Sequence, residues 1–224
     1  MKKIVCICIV LSFLLTACAS PTNFPDSSSV EAPMTTAPVT TTAPPQTTTT
    51  PVTTTTSAPE PEVTTYSAGM YKVGADIPAG EYFIVCDASS SCYYSISSDS
   101  SGSFDSIISN GNISTFTFLT VLEGEYLTVK RGSFCLSSDI VPINEAIDCS
   151  EQYIEGTYRV GIDIPSGEYK ISANSGESAY VAVLSDSRGG LDSIITNENF
   201  EGDMYITISD GQYIEIHRGY INAN

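Results

Sequence analysis

Acidic side chains recur at an interval of 87 positions along the chain. They are the residue types here that could bind a metal ion or catalyse hydrolysis. The matched pairs are Asp76 and Asp163, Glu81 and Glu168, Asp99 and Asp186, and Asp105 and Asp192. Carboxylate oxygens bind Ca²⁺, and two facing carboxylates hydrolyse glycosidic bonds. However, the segment after Asp99 has few oxygen ligands for a calcium loop, and small domains rarely enclose a glycosidase cleft. We therefore expect these acids to cap or solvate turns, and we predict no metal site.

His217 is the one histidine and the other candidate for proton transfer. The residue 87 positions earlier is Lys130, so the earlier part of the chain has no equivalent of this base. The chain has no Gly-x-Ser-x-Gly, no His-Glu-x-x-His and no phosphate-binding glycine loop. We predict no catalytic residue and no cofactor, and we place His217 at the rim of a strand.

Cys18 stands where a lipid attachment site would be. Two lysines and an apolar run from Ile4 to Leu15 precede it, which is typical of an export signal and too short to span about 30 Å of hydrocarbon. The sequence Leu-Thr-Ala-Cys at 15–18 resembles the lipobox of bacterial lipoproteins. This resemblance implies diacylglyceryl transfer to Cys18, cleavage before it, and fatty acylation, as with palmitate. The alternative is an ordinary secretory signal with a chance cysteine.

The segment after the signal peptide consists mainly of Thr, Pro, Ser and Ala. It has too few large apolar residues to form a core, and its prolines remove backbone hydrogen-bond donors. We predict a disordered stalk that holds the folded part tens of ångströms from the membrane.

A tandem repeat follows the stalk. The motif Tyr-x-Val-Gly-x-Asp-Ile-Pro-x-Gly-Glu-Tyr begins at Tyr71 and again at Tyr158, an offset of 87 positions that continues without a gap. Of the 64 positions from Gly69 to Gly132, 28 are identical in the second copy. This identity is far above chance, so we predict two copies of one domain.

Each copy has short runs of aromatic and β-branched residues, near period two in places, bounded by Gly, Ser, Asn and Asp. The pattern predicts an all-β protein with two tandem β-sandwich or jelly-roll-like domains. A unit of about 70 residues buries only a modest core, so we expect disulfides or packing between the copies. The predicted segments are a signal peptide at 1–17, a stalk at 18–65, repeats at 66–137 and 153–224, and a connector at 138–152.

Four cysteines remain after export besides Cys18, and in an oxidising compartment they indicate two disulfides. Three pairings are open. Cys86 and Cys92 correspond to two alanines in the second copy, and joint loss is what a bonded pair would show. We therefore prefer Cys86–Cys92 and Cys135–Cys149. A zinc site is disfavoured because the spacing does not match and no histidine is near.

The charge balance excludes one class of partner. The chain has 26 Asp and Glu against 9 Lys and Arg, which gives a formal charge of −17. Binding to nucleic acid depends on basic residues that neutralise phosphates, so we predict no nucleic-acid partner.

The repeated motif resembles an uncharacterised β-rich repeat found in exported proteins and lipoproteins of Gram-positive bacteria. The resemblance covers both copies, from about Tyr66 to the C-terminus. It implies a Gram-positive cell envelope and a non-catalytic extracellular module, and it carries no assigned chemistry.

We predict a lipoprotein on the extracellular face of the cell membrane that acts as a binding or interaction module and not as an enzyme. The ligand would be a glycan, a cell-wall polymer or a protein, and two copies would add avidity. The alternative is a carbohydrate-active or metal-dependent hydrolase that uses the repeated carboxylates. The candidate ligand-binding residues are Tyr71, Asp76, Glu81, Tyr82, Tyr158, Asp163, Glu168 and Tyr169.

Overall fold

The computed structural model describes residues 63–88, 91–147 and 149–223. Strands dominate this part of the chain, together with three short 3-10 turns and one four-residue helix, α1 (Ile143–Ala146). The predicted all-β class is confirmed. No helix among the described residues is long and apolar enough to cross a membrane. The predicted signal peptide, Cys18 and nearly all of the predicted stalk lie outside the described residues.

The first repeat has seven strands in two antiparallel sheets. They are β1 (Gly69–Lys72), β2 (Gly80–Cys86), β3 (Cys92–Ser97), β4 (Ile107–Ile113), β5 (Phe116–Val121), β6 (Tyr126–Lys130) and β7 (Gly132–Leu136). One sheet has the order β1-β6-β3-β4 and the other the order β5-β2-β7. The pairings β1 with β6, β2 with β5 and β3 with β4 are nested, as in a jelly roll.

The second repeat has the same topology with one added short strand. Its strands are β8 (Gln152–Tyr153), β9 (Gly156–Arg159), β10 (Gly167–Ala173), β11 (Ala179–Leu184), β12 (Ile194–Phe200), β13 (Asp203–Ile208), β14 (Tyr213–His217) and β15 (Gly219–Asn222). The sheets have the orders β12-β11-β14-β9 and β13-β10-β15-β8. The β8 pairing of Tyr153 with Ile221 corresponds to an isolated bridge between Tyr66 and Phe134 in the first repeat.

Strand β6 shows why these segments form a sandwich. Leu127 and Val129 are buried, whereas the residues between and beside them are more exposed, as expected for a strand with one face on the core. Strand β5 departs from this alternation, because Phe116 to Leu119 are all buried. The second face of β5 is covered by the other repeat, so period two is lost there.

The two repeats share a hydrophobic core. One cluster belongs to the first repeat alone and includes Ile84, Leu119 and Phe134. The other cluster combines Phe83, Phe116, Phe118 and Cys135 of the first repeat with the interior of the second, including Tyr158, Val183 and Ile214. The described residues of both repeats belong to one compact unit.

The cysteines of the folded part lie in two places. Cys86 and Cys92 form the predicted disulfide, which joins the end of β2 to the start of β3. Cys135 on β7 and Cys149 in the connector are both buried in the shared core cluster. Their pairing with each other stays a prediction.

Candidate functional site

The repeated aspartate of the motif holds a turn in each repeat. The Asp76 carboxylate accepts a hydrogen bond from the backbone N–H of Lys72 at 2.8 Å, which closes the turn after β1. In the second repeat Asp163 is fully buried and makes the same contact with the N–H of Arg159 at 2.9 Å. The Arg159 guanidinium and the N–H of Ile143 donate to Asp163 as well. These bonds use the Asp163 carboxylate for the structure.

The four tyrosines proposed from the motif also bond to the backbone. Each hydroxyl donates to a carbonyl four residues earlier, at 2.6–2.9 Å. Tyr82 and Tyr158 are fully buried, and burial raises the pKa of Tyr82 to about 12 and that of Tyr158 further above its usual range. The bonded pairs are Tyr71 with Ser67, Tyr82 with Pro78, Tyr158 with Ile154 and Tyr169 with Pro165.

Glu81 differs from its equivalent because it contacts the other repeat. Its carboxylate accepts hydrogen bonds from the hydroxyls of Ser187 at 2.7 Å and Tyr213 at 2.5 Å, both in the second repeat. Burial, followed by this bond to Glu81, raises the pKa of Tyr213 to about 12. Glu168 is exposed. The structure therefore places Glu81 in the contact between repeats and leaves Glu168 on the surface.

The other repeated acids lie in the loops between β3 and β4 and between β11 and β12. Asp99 accepts a hydrogen bond from the N–H of Ser101, and Asp186 accepts from the N–H of Arg188 and from Ser193. Asp105 and Asp192 are exposed. Within the described ranges no group of three or more His, Cys, Asp or Glu residues is arranged to hold a metal ion.

A polar cleft opens where the repeats meet, beside the β5–β9 contact. Its volume is about 290 Å³, and both repeats line it. Cavities near this size hold a small ligand or one part of a longer one. The side chains with hydrogen-bonding capacity that line it include Tyr94 and Asn110 from the first repeat and Glu155, Tyr180, Glu215 and His217 from the second.

His217 lies between two carboxylates in this cleft. Its Nε2 atom is 2.7 Å from Oε1 of Glu215, and its Nδ1 atom is 3.3 Å from Oε1 of Glu155. The hydrogen bond to Glu215 raises the pKa of His217, burial opposes this, and the charges of both glutamates add to the increase. The imidazolium form is thereby favoured, and the three side chains form a fixed polar group.

Two tyrosines frame this polar group, one from each repeat. The Tyr180 ring centroid is 5.9 Å from that of His217, and its hydroxyl accepts a hydrogen bond from the amide of Asn197. Tyr94 is half-buried, and burial raises its pKa. Tyrosine combines an apolar ring with a polar tip, so the pair gives the cleft faces for packing and hydroxyls for bonding.

A second cavity of about 230 Å³ shares Phe116 with the first but is lined mainly by apolar groups, including Phe83, Val85, Ile147 and Ile154. The polar cleft is the better candidate site, because charged, amide and aromatic groups converge there. Specific recognition requires such groups in fixed positions.

The sequence did not identify this site. Of the sequence-proposed ligand-binding residues, none is in the cleft lining. The sequence indicates His217 as a candidate base, but the mismatch with Lys130 predicts a bland position at the rim of a strand. The available signal was that Glu155, Glu215 and His217 each differ from the equivalent residue of the first repeat, although Tyr180 and Asn110 are shared between the copies.

The second repeat is similar to one known family of extracellular domains. A family model described as an Rv1352-like extracellular domain matches residues 150–214. No curated protein and no solved structure matches the chain. The matched segment contains Glu155 and Tyr180 but ends just before Glu215 and His217. The match fits an extracellular location for the folded part and a module exposed at the cell surface.

Proposed function

We propose that this chain is a membrane-anchored surface lipoprotein whose cleft between the repeats binds a polyhydroxylated polymer, a glycan of the cell wall or its surroundings, without turnover. The observation that carries the proposal is the convergence of Glu155, Glu215 and His217 with Tyr94 and Tyr180 at the junction. Sugar hydroxyls are both donors and acceptors, so carboxylates and amides bond to them, while tyrosine rings pack on the apolar faces of the sugar.

The arrangement favours binding over hydrolysis. A glycosidase needs one carboxyl group as acid and another as base or nucleophile, each directed at the substrate. Here Glu155 and Glu215 both face His217, and each is hydrogen-bonded to one nitrogen of its ring. The repeated carboxylates lie in turns, in loops and in the contact between repeats. A hydrolase remains the alternative that the experiment below addresses.

Binding is tested with the exported chain, residues 18–224 carrying Cys18→Ser, on a glycan array and in a pull-down with purified Gram-positive cell walls. Tyr180→Ala and His217→Ala should each remove most of the binding. Tyr220→Ala is the matched control, because Tyr220 lies on β15 outside the cleft lining. Binding that all three variants retain would contradict the cleft as the site, and shortened glycan products would favour the hydrolase.

Anchoring is proposed to occur through Cys18, with the Thr- and Pro-rich segment as a spacer. The thioether to diacylglycerol requires the Cys18 thiol, so Cys18→Ser should release the protein into the medium or leave the precursor uncleaved. Membrane fractionation measures this directly. A variant that is still processed and still retained in the membrane fraction would contradict lipid anchoring.

A further inference from the structure

Equivalent strands of the two repeats differ sharply in burial. Strand β5 of the first repeat and β9 of the second are edge strands of their sheets, and both are largely buried. Their equivalents β13 and β1 are also edge strands, but β1 has no buried residue and β13 has only Ile206 and Ile208 buried. Tyr205 on β13 is 67% exposed and Met70 on β1 is 47% exposed.

The buried edges contact each other within the chain. The hydroxyls of Thr117 on β5 and Thr157 on β9 are 3.0 Å apart. The Arg159 guanidinium lies over the Phe118 ring, 4.3 Å from its centroid. The contact therefore combines a short hydroxyl–hydroxyl contact between the two threonines with a cation–π interaction between Arg159 and Phe118.

The repeat offset assigns a counterpart to each of these contacts on the exposed edges. The residues equivalent to Thr117 and Thr157 are Met204 and Met70, so an apolar pair stands in place of the hydroxyl pair. The residues equivalent to Phe118 and Arg159 are Tyr205 and Lys72, so an aromatic ring opposite a cation is preserved. The exposed edges thus keep an aromatic–cation pair at one position and have an apolar pair at the other, where Met70 is exposed and Met204 is partly buried against the core of its own repeat.

The polar contacts of the junction have counterparts as well. Glu81 accepts a hydrogen bond from Tyr213, and the equivalent residues are Glu168 and Tyr126. Thr120 bonds to Ser187 through both side chains and backbone, and the equivalent residues are Thr207 and Ser100. Glu168 and Thr207 are exposed, and Tyr126 is partly exposed, so these groups are accessible to another molecule.

We infer that β13 of one chain binds β1 of a second copy, in the geometry by which β5 binds β9 within the chain. The interface is heterologous, since each copy contributes a different face. Such an interface leaves one free β1 face and one free β13 face at the ends, so assembly continues beyond the dimer unless it closes into a ring.

Three residue differences at two contacts make this interface weaker than the one within the chain. Phe116, whose ring packs edge-on against Tyr158, is replaced by Asp203, which pairs with Lys170. The ion pair of Glu125 and Arg188 is replaced by Gln212 and Ser101. Association is therefore reversible and depends on protein concentration.

Sedimentation velocity of the exported chain, residues 18–224 with Cys18→Ser, measures the association. The weight-average sedimentation coefficient should rise with concentration and pass the value for a dimer. Tyr205→Lys and Met70→Asp should each weaken self-association by about tenfold or more, because Tyr205→Lys places a second cation opposite Lys72 and Met70→Asp places a carboxylate in an apolar contact. Ile195→Asp is the control, since Ile195 is 53% exposed and takes no part in the contacts described above.

Mixing the two variants tests the head-to-tail geometry. Tyr205→Lys keeps an intact β1 face and Met70→Asp keeps an intact β13 face, so an equimolar mixture should form dimers and nothing larger. A wild-type chain that stays monomeric up to about millimolar concentration would overturn the inference. So would a mixture that remains monomeric while wild type associates, or a loss of association in Ile195→Asp equal to that in Met70→Asp.

Discussion

The guanidinium group of Arg188 in the second repeat forms a two-point ion pair with the carboxylate of Glu125 in the first, with N···O distances of 2.9 and 2.7 Å. Arg188 also donates to the backbone carbonyl of Thr120 at 2.9 Å. Burial alone would raise the pKa of Glu125, but the hydrogen bonds from Arg188 and Leu122 and the charge of Arg188 lower it on balance. This pair fixes the orientation of one repeat on the other at the side where Glu81 meets Tyr213.

Arg188→Gln should lower the free energy of unfolding by about 1–2 kcal/mol, because it leaves a partly buried carboxylate without its charged partner. Urea unfolding at neutral pH measures the change. Lys170→Gln is the control, since the Lys170–Asp203 pair is half-exposed on both sides and such pairs contribute about 0–1 kcal/mol. Equal losses in the two variants would contradict a structural role for the Arg188 pair.

Gly156→Ala should destabilise the protein by about 2 kcal/mol or more, because the contact between repeats has no room for a side chain there. A Cβ atom at Gly156 would lie 2.6 Å from the Phe116 ring, and the backbone φ of +150° also disfavours alanine. Gly69, the equivalent residue, would meet only its own neighbour Tyr71 at 3.1 Å.

Gly69→Ala is accordingly the matched control and should cost under about 1 kcal/mol. The difference between the two variants, measured by thermal or urea unfolding, reports the combined cost of the Phe116 contact and of the positive φ at Gly156. Similar losses of unfolding free energy in both variants would show that glycine is required by the strand itself and not by the contact between the repeats.

The sequence predicted the β class and the repeat because each copy carries its own strand pattern and the same turn-forming residues. Asp76 and Asp163 close equivalent turns, so their recurrence in the sequence follows from a shared backbone requirement. The cleft was not predictable in the same way. It arises where β5 meets β9, and neither copy alone contains the information that Tyr94 and His217 line one cavity.

The stability that His217 contributes should decline as pH rises. Its pKa is raised in the folded protein, so the charged form is favoured by folding. The contribution is fully present below the unfolded pKa of about 6.5 and is lost as pH rises through the higher folded value. The difference in unfolding free energy between wild type and His217→Gln should therefore be larger at acidic than at alkaline pH.

Glu215→Gln removes the closest partner of His217 and should flatten this pH dependence. Urea unfolding at a series of pH values between about 5.5 and 9 measures both variants. If the difference in unfolding free energy between wild type and His217→Gln grows with pH, the assignment of His217 as a cation bound by Glu155 and Glu215 is contradicted.

Reduction of the Cys86–Cys92 disulfide should lower the free energy of unfolding by about 2 kcal/mol, because the bond closes a short loop in the unfolded chain. The paired variant Cys86→Ala and Cys92→Ala reproduces the residues that the second repeat has at these positions, so it should fold. Its unfolding, compared with wild type without reductant, measures the contribution of this bond alone.

Non-reducing peptide mapping of the exported chain should also recover Cys135 linked to Cys149, since both are buried in the shared core. A peptide that links Cys86 to Cys135 or Cys149 would contradict both pairings.

The central claim is that the ligand binds in the cleft between the repeats, and a ¹⁵N NMR titration of the exported chain with soluble glycan fragments of a Gram-positive cell wall tests it most directly. We expect saturable shifts centred on Tyr94, Asn110, Tyr180 and His217, with the glycan recovered intact. Shifts centred away from these residues, no shifts at any concentration, or recovery of shortened glycan would contradict it.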